Sequence, residues 1–183
     1  MGRLPQIHRK KGAQEDLVRA ACQGDARLAR TAIRHGANVN ARYWGRPILF
    51  WAIQEEHLNV VRILVYSGAS PERRDNAGFT PLDQAVGAGN FRIVQWLLDA
   101  GAKVNVRTCN GSVLHTACAY RRLKIVRLLL KHGADPSVVD DEGREPAAFA
   151  KLGKTNRTDT ILQNLLREAV LKGIVKSRKK GAV

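Results

Sequence analysis

Carboxylates are scarce in this chain: 16 Asp and Glu stand against 31 Lys and Arg, a formal charge of +15 over 183 residues. Cysteine is scarcer. Cys22, Cys109 and Cys118 are odd in number and form no CxxC pair, which argues against a disulfide framework or a thiolate zinc site and for reduced thiols. No run approaches the roughly 20 apolar residues that a spanning helix needs, and residues 1–13 lack the apolar segment of a secretory signal. Aromatic residues make up 5% of a chain that is 44% hydrophobic, so Ala and Leu carry the apolar content, as suits a helical protein. There is no HExxH, no GxSxG and no Gly-rich phosphate loop. The expectation is a non-catalytic intracellular protein, cytoplasmic, nuclear or organellar, with no metal, no cofactor, no small-molecule substrate and no membrane contact.

What the chain does have is repetition. Gly36-Ala37, Gly68-Ala69, Gly101-Ala102 and Gly133-Ala134 recur every 32 or 33 residues, and Gly45, Gly78, Gly111 and Gly143 recur in step with them. A fixed period of this size marks stacked repeats, each too small to bury its own apolar face.

One period, Asp75 to Arg107, shows the design. Asn76-Ala77-Gly78 is a turn signal. Thr80 and Pro81 then open a helix, the first as N-cap and the second at a position where a missing N–H costs nothing. Leu82, Ala85 and Val86 give it a short apolar stripe, and Gly87 to Asn90 break it. Ile93, Val94, Leu97 and Leu98 give a second helix its apolar face, and Gly101 stops it. The unit reads as turn, helix, turn, helix and an extended return.

Gly78-Phe79-Thr80-Pro81-Leu82 followed by Gly101-Ala102 resembles the ankyrin repeat. A further copy keeps Leu114-His115-Thr116-Ala117 and Ile125-Val126-Arg127-Leu128-Leu129-Leu130 before Gly133-Ala134. The resemblance covers residues 15–167 and implies an all-α solenoid of stacked helix-turn-helix units with β-turn fingers, in which His115 braces a turn. The units are expected at 14–41, 42–74, 75–107, 108–139 and 140–170, the outer two as caps. Between Gly101 and Leu114 the chain is one residue shorter than in the preceding copy, so the turn at Asn110-Gly111 is expected to differ. Asp159 is expected to cap the last helix.

The resemblance also implies a recognition surface at the finger tips and first-helix ends. Position by position it selects Tyr43, Trp44, Arg46, Gln54, Arg74, Asn76, Phe79, Arg107, Tyr120 and Arg144. Tyr, Trp and Arg are the residue types that dominate binding hot spots. Arg46, Arg74 and Arg107 are expected along one edge of successive units, a basic, aromatic-studded strip suited to carboxylates, phosphates or both. Trp51 and Trp96 fall within helices and read as packing residues.

Two basic tails flank the repeats. Residues 1–13 hold Arg3, Arg9, Lys10 and Lys11, and residues 171–183 hold Lys172, Lys176, Arg178, Lys179 and Lys180. Two functions therefore compete. One is an interaction adaptor that grips an acidic protein or peptide on its concave face. The other is a structural subunit of a ribonucleoprotein, such as a ribosome, held on RNA by its tails and Arg-rich face.

Overall fold

The computed structural model describes residues 12–108, 111–149 and 157–180, with side chains of the last segment described at 158–173. The chain divides into two compact units, Met1–Ile93 and Val94–Val183. The first contains α1 (Ala13–Gln23), α2 (Ala26–Arg34), β1 (Arg42–Tyr43), β2 (Arg46–Pro47), α3 (Ile48–Gln54), α4 (Leu58–Tyr66) and α5 (Pro81–Ala88). The division falls inside α6 (Phe91–Asp99). The second continues with β3 (Arg107–Thr108), β4 (Gly111–Ser112), α7 (Val113–Ala119), α8 (Leu123–Lys131), α9 (Pro146–Phe149) and α10 (Arg157–Lys180). Both two-stranded sheets are antiparallel hairpins; the other regular elements among the described residues are helices, as an all-α reading requires.

Helices of 7 to 11 residues, such as α3 and α1, are too short to persist alone in water, so packing must hold them. In the first unit α3 packs between α1 and α5, and α2 packs on α4. Leu17, Phe50, Ile53, Val60, Leu64, Leu82 and Val86 are buried there. In the second unit α7 packs on α8 and α9, and α8 packs on α10. Leu114, Ile125, Val126, Leu129, Leu162 and Leu166 fill that core. Each fully buried Leu or Phe contributes about 2 kcal/mol.

Thr80 caps α5 as expected. Its side chain accepts from the Asp83 N–H while the Asp83 carboxylate accepts from the Thr80 N–H, and Pro81 opens the helix. Asp83 is itself buried, and its Oδ1 finds no hydrogen-bond partner. Burial therefore pushes its carboxyl above the ordinary range, against the opposing hydrogen bonds from Thr80. A group with a raised native pKa binds more protons folded than unfolded, so stability falls as pH rises through that window. The penalty is absent below the usual carboxylate range and complete above the raised native value. Asp83→Asn keeps an acceptor for Thr80 without the charge. Its stability advantage over the wild type is expected to grow as pH rises above the usual carboxylate range in urea titrations; a pH-independent difference would show that this carboxyl does not titrate as described.

The polar features repeat every two units. Gly24 and Gly89 hold positive φ before α2 and α6, and Asp25 and Asn90 cap those helices with side-chain oxygens. At the same point before α4 and α8 stand Glu56 and Arg121, also at positive φ (60° and 53°), and the following His57 and Arg122 cap nothing with their side chains. Fingers alternate likewise. Tyr43 pairs with Arg46, and Thr108 with Gly111, in short hairpins. Asp75 bonds to Phe79, and Asp140 to Arg144, across loops one residue longer. In both long fingers the aspartate Oδ1 accepts from the backbone N–H groups two and four residues on. The altered spacing before Leu114 therefore belongs to an alternation, since the finger at Tyr43 is short as well.

The last helix differs from expectation. It begins at Arg157, so Asp159 lies within its first turn and is not the cap. Its carboxylate is buried and receives the Arg121 guanidinium at 2.7 Å. The helical backbone runs on to Lys180, through most of the segment set apart as a basic tail. No helix among the described residues is long and apolar enough to cross a membrane.

Candidate finger and helix-edge surface

In the first unit the short finger carries its aromatic residues on a strained turn. Trp44 and Gly45 both have positive φ, 51° and 75°, as a two-residue type I′ hairpin demands. Gly at the second place suits that positive φ, and an added Cβ there would also press on the Asn76 side-chain amide. A bulky residue at the first place is unusual and costs about 1 kcal/mol or more. Trp44 is 70% exposed, and its indole stacks on Tyr43 with centroids 5.9 Å apart. Tyr43 in turn meets the edge of Trp51 at 6.2 Å, and the Trp51 indole N–H donates to the Tyr43 carbonyl. Trp51 is buried, the packing role its helical position implied; Trp96 is half-buried.

Arg46 lies beside this aromatic group. Its guanidinium sits 5.4 Å from the Trp51 ring centroid and 5.7 Å from that of Phe50. It donates to the side-chain Oε1 of Gln54 at 2.7 Å on α3 and to that of Gln84 at 3.3 Å on α5. A guanidinium held flat by aromatic faces and aimed by two amides is preorganised for a planar anion.

Arg74, Asn76 and Phe79 serve the neighbouring finger. Arg74 donates to the Gly78 carbonyl, the Phe79 carbonyl accepts from the Asp75 N–H, and the Phe79 N–H donates to the Asp75 carboxylate. The Asn76 Oδ1 accepts from Arg42, whose other terminal nitrogen reaches the Arg74 carbonyl. Arg42 thus ties the two fingers together.

Arg107 does the same work in the second unit, reaching the Val139 carbonyl and the Asp141 carboxylate. Hairpin register confirms the equivalence: Arg42 faces Pro47 as Arg107 faces Ser112. Arg46 instead matches Gly111. The expected single row of Arg46, Arg74 and Arg107 is therefore two classes of position, a finger brace and a ring-stacked cation. Arg144 pairs with Asp140 and Glu142 and lies over the Phe149 ring at 4.8 Å. Burial opposes the Asp140 charge, but the Arg144 and Glu142 N–H groups and the Arg144 guanidinium outweigh it and hold the carboxyl below its usual range. Tyr120 is 59% exposed and shares a cleft of about 330 Å³ with His115, Asp141 and Arg144.

His115 is buried with both ring nitrogens used. Nδ1 accepts from the Ser112 N–H at 2.9 Å, so Nε2 carries the proton and donates to the Arg144 carbonyl at 2.9 Å. The turn-bracing role is visible in this geometry. Asn40 and Asn105, which motif reading passes over, brace the return loops. Each donates to a glycine carbonyl 28 residues on, Gly68 or Gly133, and accepts an N–H 30 residues on. Their 65-residue recurrence was the available signal.

Of the tail cations, Arg3, Arg9, Lys10 and Lys11 lie outside the described residues, as do the side chains of Lys176, Arg178, Lys179 and Lys180. Lys172 pairs with Glu168 at 3.6 Å on exposed helix. Cys109 also lies outside; Cys22 and Cys118 are buried free thiols, and burial pushes Cys118 up to about 12.

A family model for ankyrin repeats in three copies matches residues 17–108 and 82–169. The chain is 34% identical over 110 residues to a putative ankyrin repeat-containing protein of Treponema pallidum, covering 59% of this chain and 37% of the relative. It is 31% identical over 148 residues to human ankyrin repeat and SOCS box protein 6, covering 73% and 34%, and 29% identical over 138 residues to alpha-latrotoxin-Lg1a of Latrodectus geometricus, covering 73% and 10%. The match spans little more than a third of even the best-covered of these relatives. With the helix pairs, fingers and capping geometry in agreement, the chain belongs to the ankyrin repeat family.

Proposed function

We propose that the protein is a non-catalytic binding module whose first unit captures an acidic protein or peptide through the edge formed by Tyr43, Trp44, Arg46 and Gln54. Ankyrin repeats in general mediate protein–protein interaction, and the edge itself supports this particular reading. Trp44 carries it: an indole kept mostly in solvent, on a backbone that disfavours it, gains little from its own chain beyond the Tyr43 stack. Strain of this kind concentrates where binding uses it, and Trp with Arg at one edge is the composition of a hot spot. Arg46 offers the partner's carboxylate a preoriented fork. Arg107 and Arg144 are engaged by carboxylates of their own unit, so the acidic partner is assigned to the first unit alone.

The test is a peptide library selected against the full chain. Enriched peptides are expected to be rich in Asp and Glu. Trp44→Gly, which removes the indole and suits the positive φ, should weaken them by about thirtyfold or more, with the melting point shifted by no more than the equivalent of about 1 kcal/mol. Peptides without acidic bias, or binding that ignores Trp44, would sink the reading.

A further inference from the structure

A second surface lies on α2 and α4, the outer helices of the first two pairs. Together they carry four basic residues, Arg27, Arg30, Arg34 and Arg62, and no acidic one. All four are exposed, and none enters an ion pair among the described residues. A solvated helix face of ordinary design mixes signs, since Glu and Lys a turn apart support each other and like charges repel. An all-cation face accepts that repulsion. In the first unit it closes around a cleft of about 400 Å³ lined by Arg30, Asn59, Arg62, Ile63 and Tyr66. Tyr66 is 77% exposed at its rim.

We infer that the α2–α4 face binds the backbone of single-stranded nucleic acid, with Arg30 and Arg62 on phosphates and Tyr66 as a platform for a base. A basic groove with an exposed aromatic ring is the recurring arrangement for this ligand. Arginine outnumbers lysine there, and its planar fork matches phosphate oxygens. An anionic membrane is the weaker fit. Surface helices that lie on lipid bury a band of large apolar residues, whereas α2 keeps Ala29 and Ala32 inside the protein and α4 likewise turns Val60, Val61 and Leu64 inward. The face is distinct from the Trp44 edge, so the two can be abolished separately.

The experiment uses the full chain, tails included, with fluorescently labelled 12-residue oligouridine and oligothymidine across a salt series. Binding is expected to weaken with salt. Arg30→Gln with Arg62→Gln should lower affinity about tenfold and reduce the log–log salt slope by about 1.4, the value for two phosphate contacts on a single strand. Tyr66→Ala should lower affinity about tenfold with the slope unchanged. Equal affinity for the two oligomers supports backbone recognition, and preference for oligouridine adds a contact to the 2′-hydroxyl. Trp44→Gly should change nothing. Oligomer binding unaffected by the arginine pair in a folded variant would overturn the assignment and place the affinity in the tails. Binding only to phosphatidylserine vesicles would overturn it in favour of a membrane.

Discussion

Replacing His115 with leucine is expected to cost about 3 to 4 kcal/mol, read as a lower urea midpoint with an unchanged slope. The imidazole is fully buried and joins three groups: the Ser112 N–H and hydroxyl on one nitrogen and the Arg144 carbonyl on the other. Leucine fills much of the space but leaves the buried Ser112 and the carbonyl without their partner, at about 1 to 3 kcal/mol for each group so stranded. It also forfeits the edge-on packing of the ring against Phe149 at 5.5 Å. His115→Gln, which retains a donor and an acceptor, should recover part of the loss. A cost below about 1 kcal/mol for leucine would mean the hydrogen bonds hold nothing that water could not replace.

The second large effect is expected at Arg121→Met. Its guanidinium is the partner of Asp159, whose carboxylate is wholly buried in the first turn of α10. Removing one member of such a pair leaves charge stranded in a poor solvent, about 3 to 5 kcal/mol when both are buried. Because the Arg121 side chain is 36% exposed, about 2 to 3 kcal/mol is the reasonable figure. The loss should be local, with amide hydrogen exchange accelerating across residues 157–173 while α4 stays protected. Asp159→Asn on top of Arg121→Met should restore most of it. A pair of single losses that simply add would show that the two side chains do not interact.

Helix pairs are legible in the sequence because a nine-residue helix with one buried face leaves a strict mark. Val60, Val61 and Leu64 on α4 recur as Ile125, Val126 and Leu129 on α8. The caps at Thr80 and Pro81 are legible for the same reason, since few residues do that work. The start of α10 is not. The polar stretch before Ile161 holds no sharp signal, and Asp159 has cap chemistry, so only tertiary structure reveals that its carboxylate is spent on Arg121.

The surface was half legible. Trp44 and Tyr43 stand out as aromatics at a finger tip, yet their stack and the strain beneath them are three-dimensional facts. The arginines were harder. Fingers of two lengths shift the register by one residue, so Arg42 rather than Arg46 is the counterpart of Arg107. Apolar positions conceal this, because they recur every 32 or 33 residues, whereas the polar braces recur every 65.

That longer recurrence sets the grain at which the chain tolerates gain or loss of length. Excising 65 residues removes one short and one long finger together, so every retained brace still meets the loop it was shaped for. Excising 33 joins like to like, and an arginine built to clasp the neighbouring tip arrives at a loop of the wrong size. The length by which this chain can be shortened with its braces intact is thus a couplet of repeats rather than a single one.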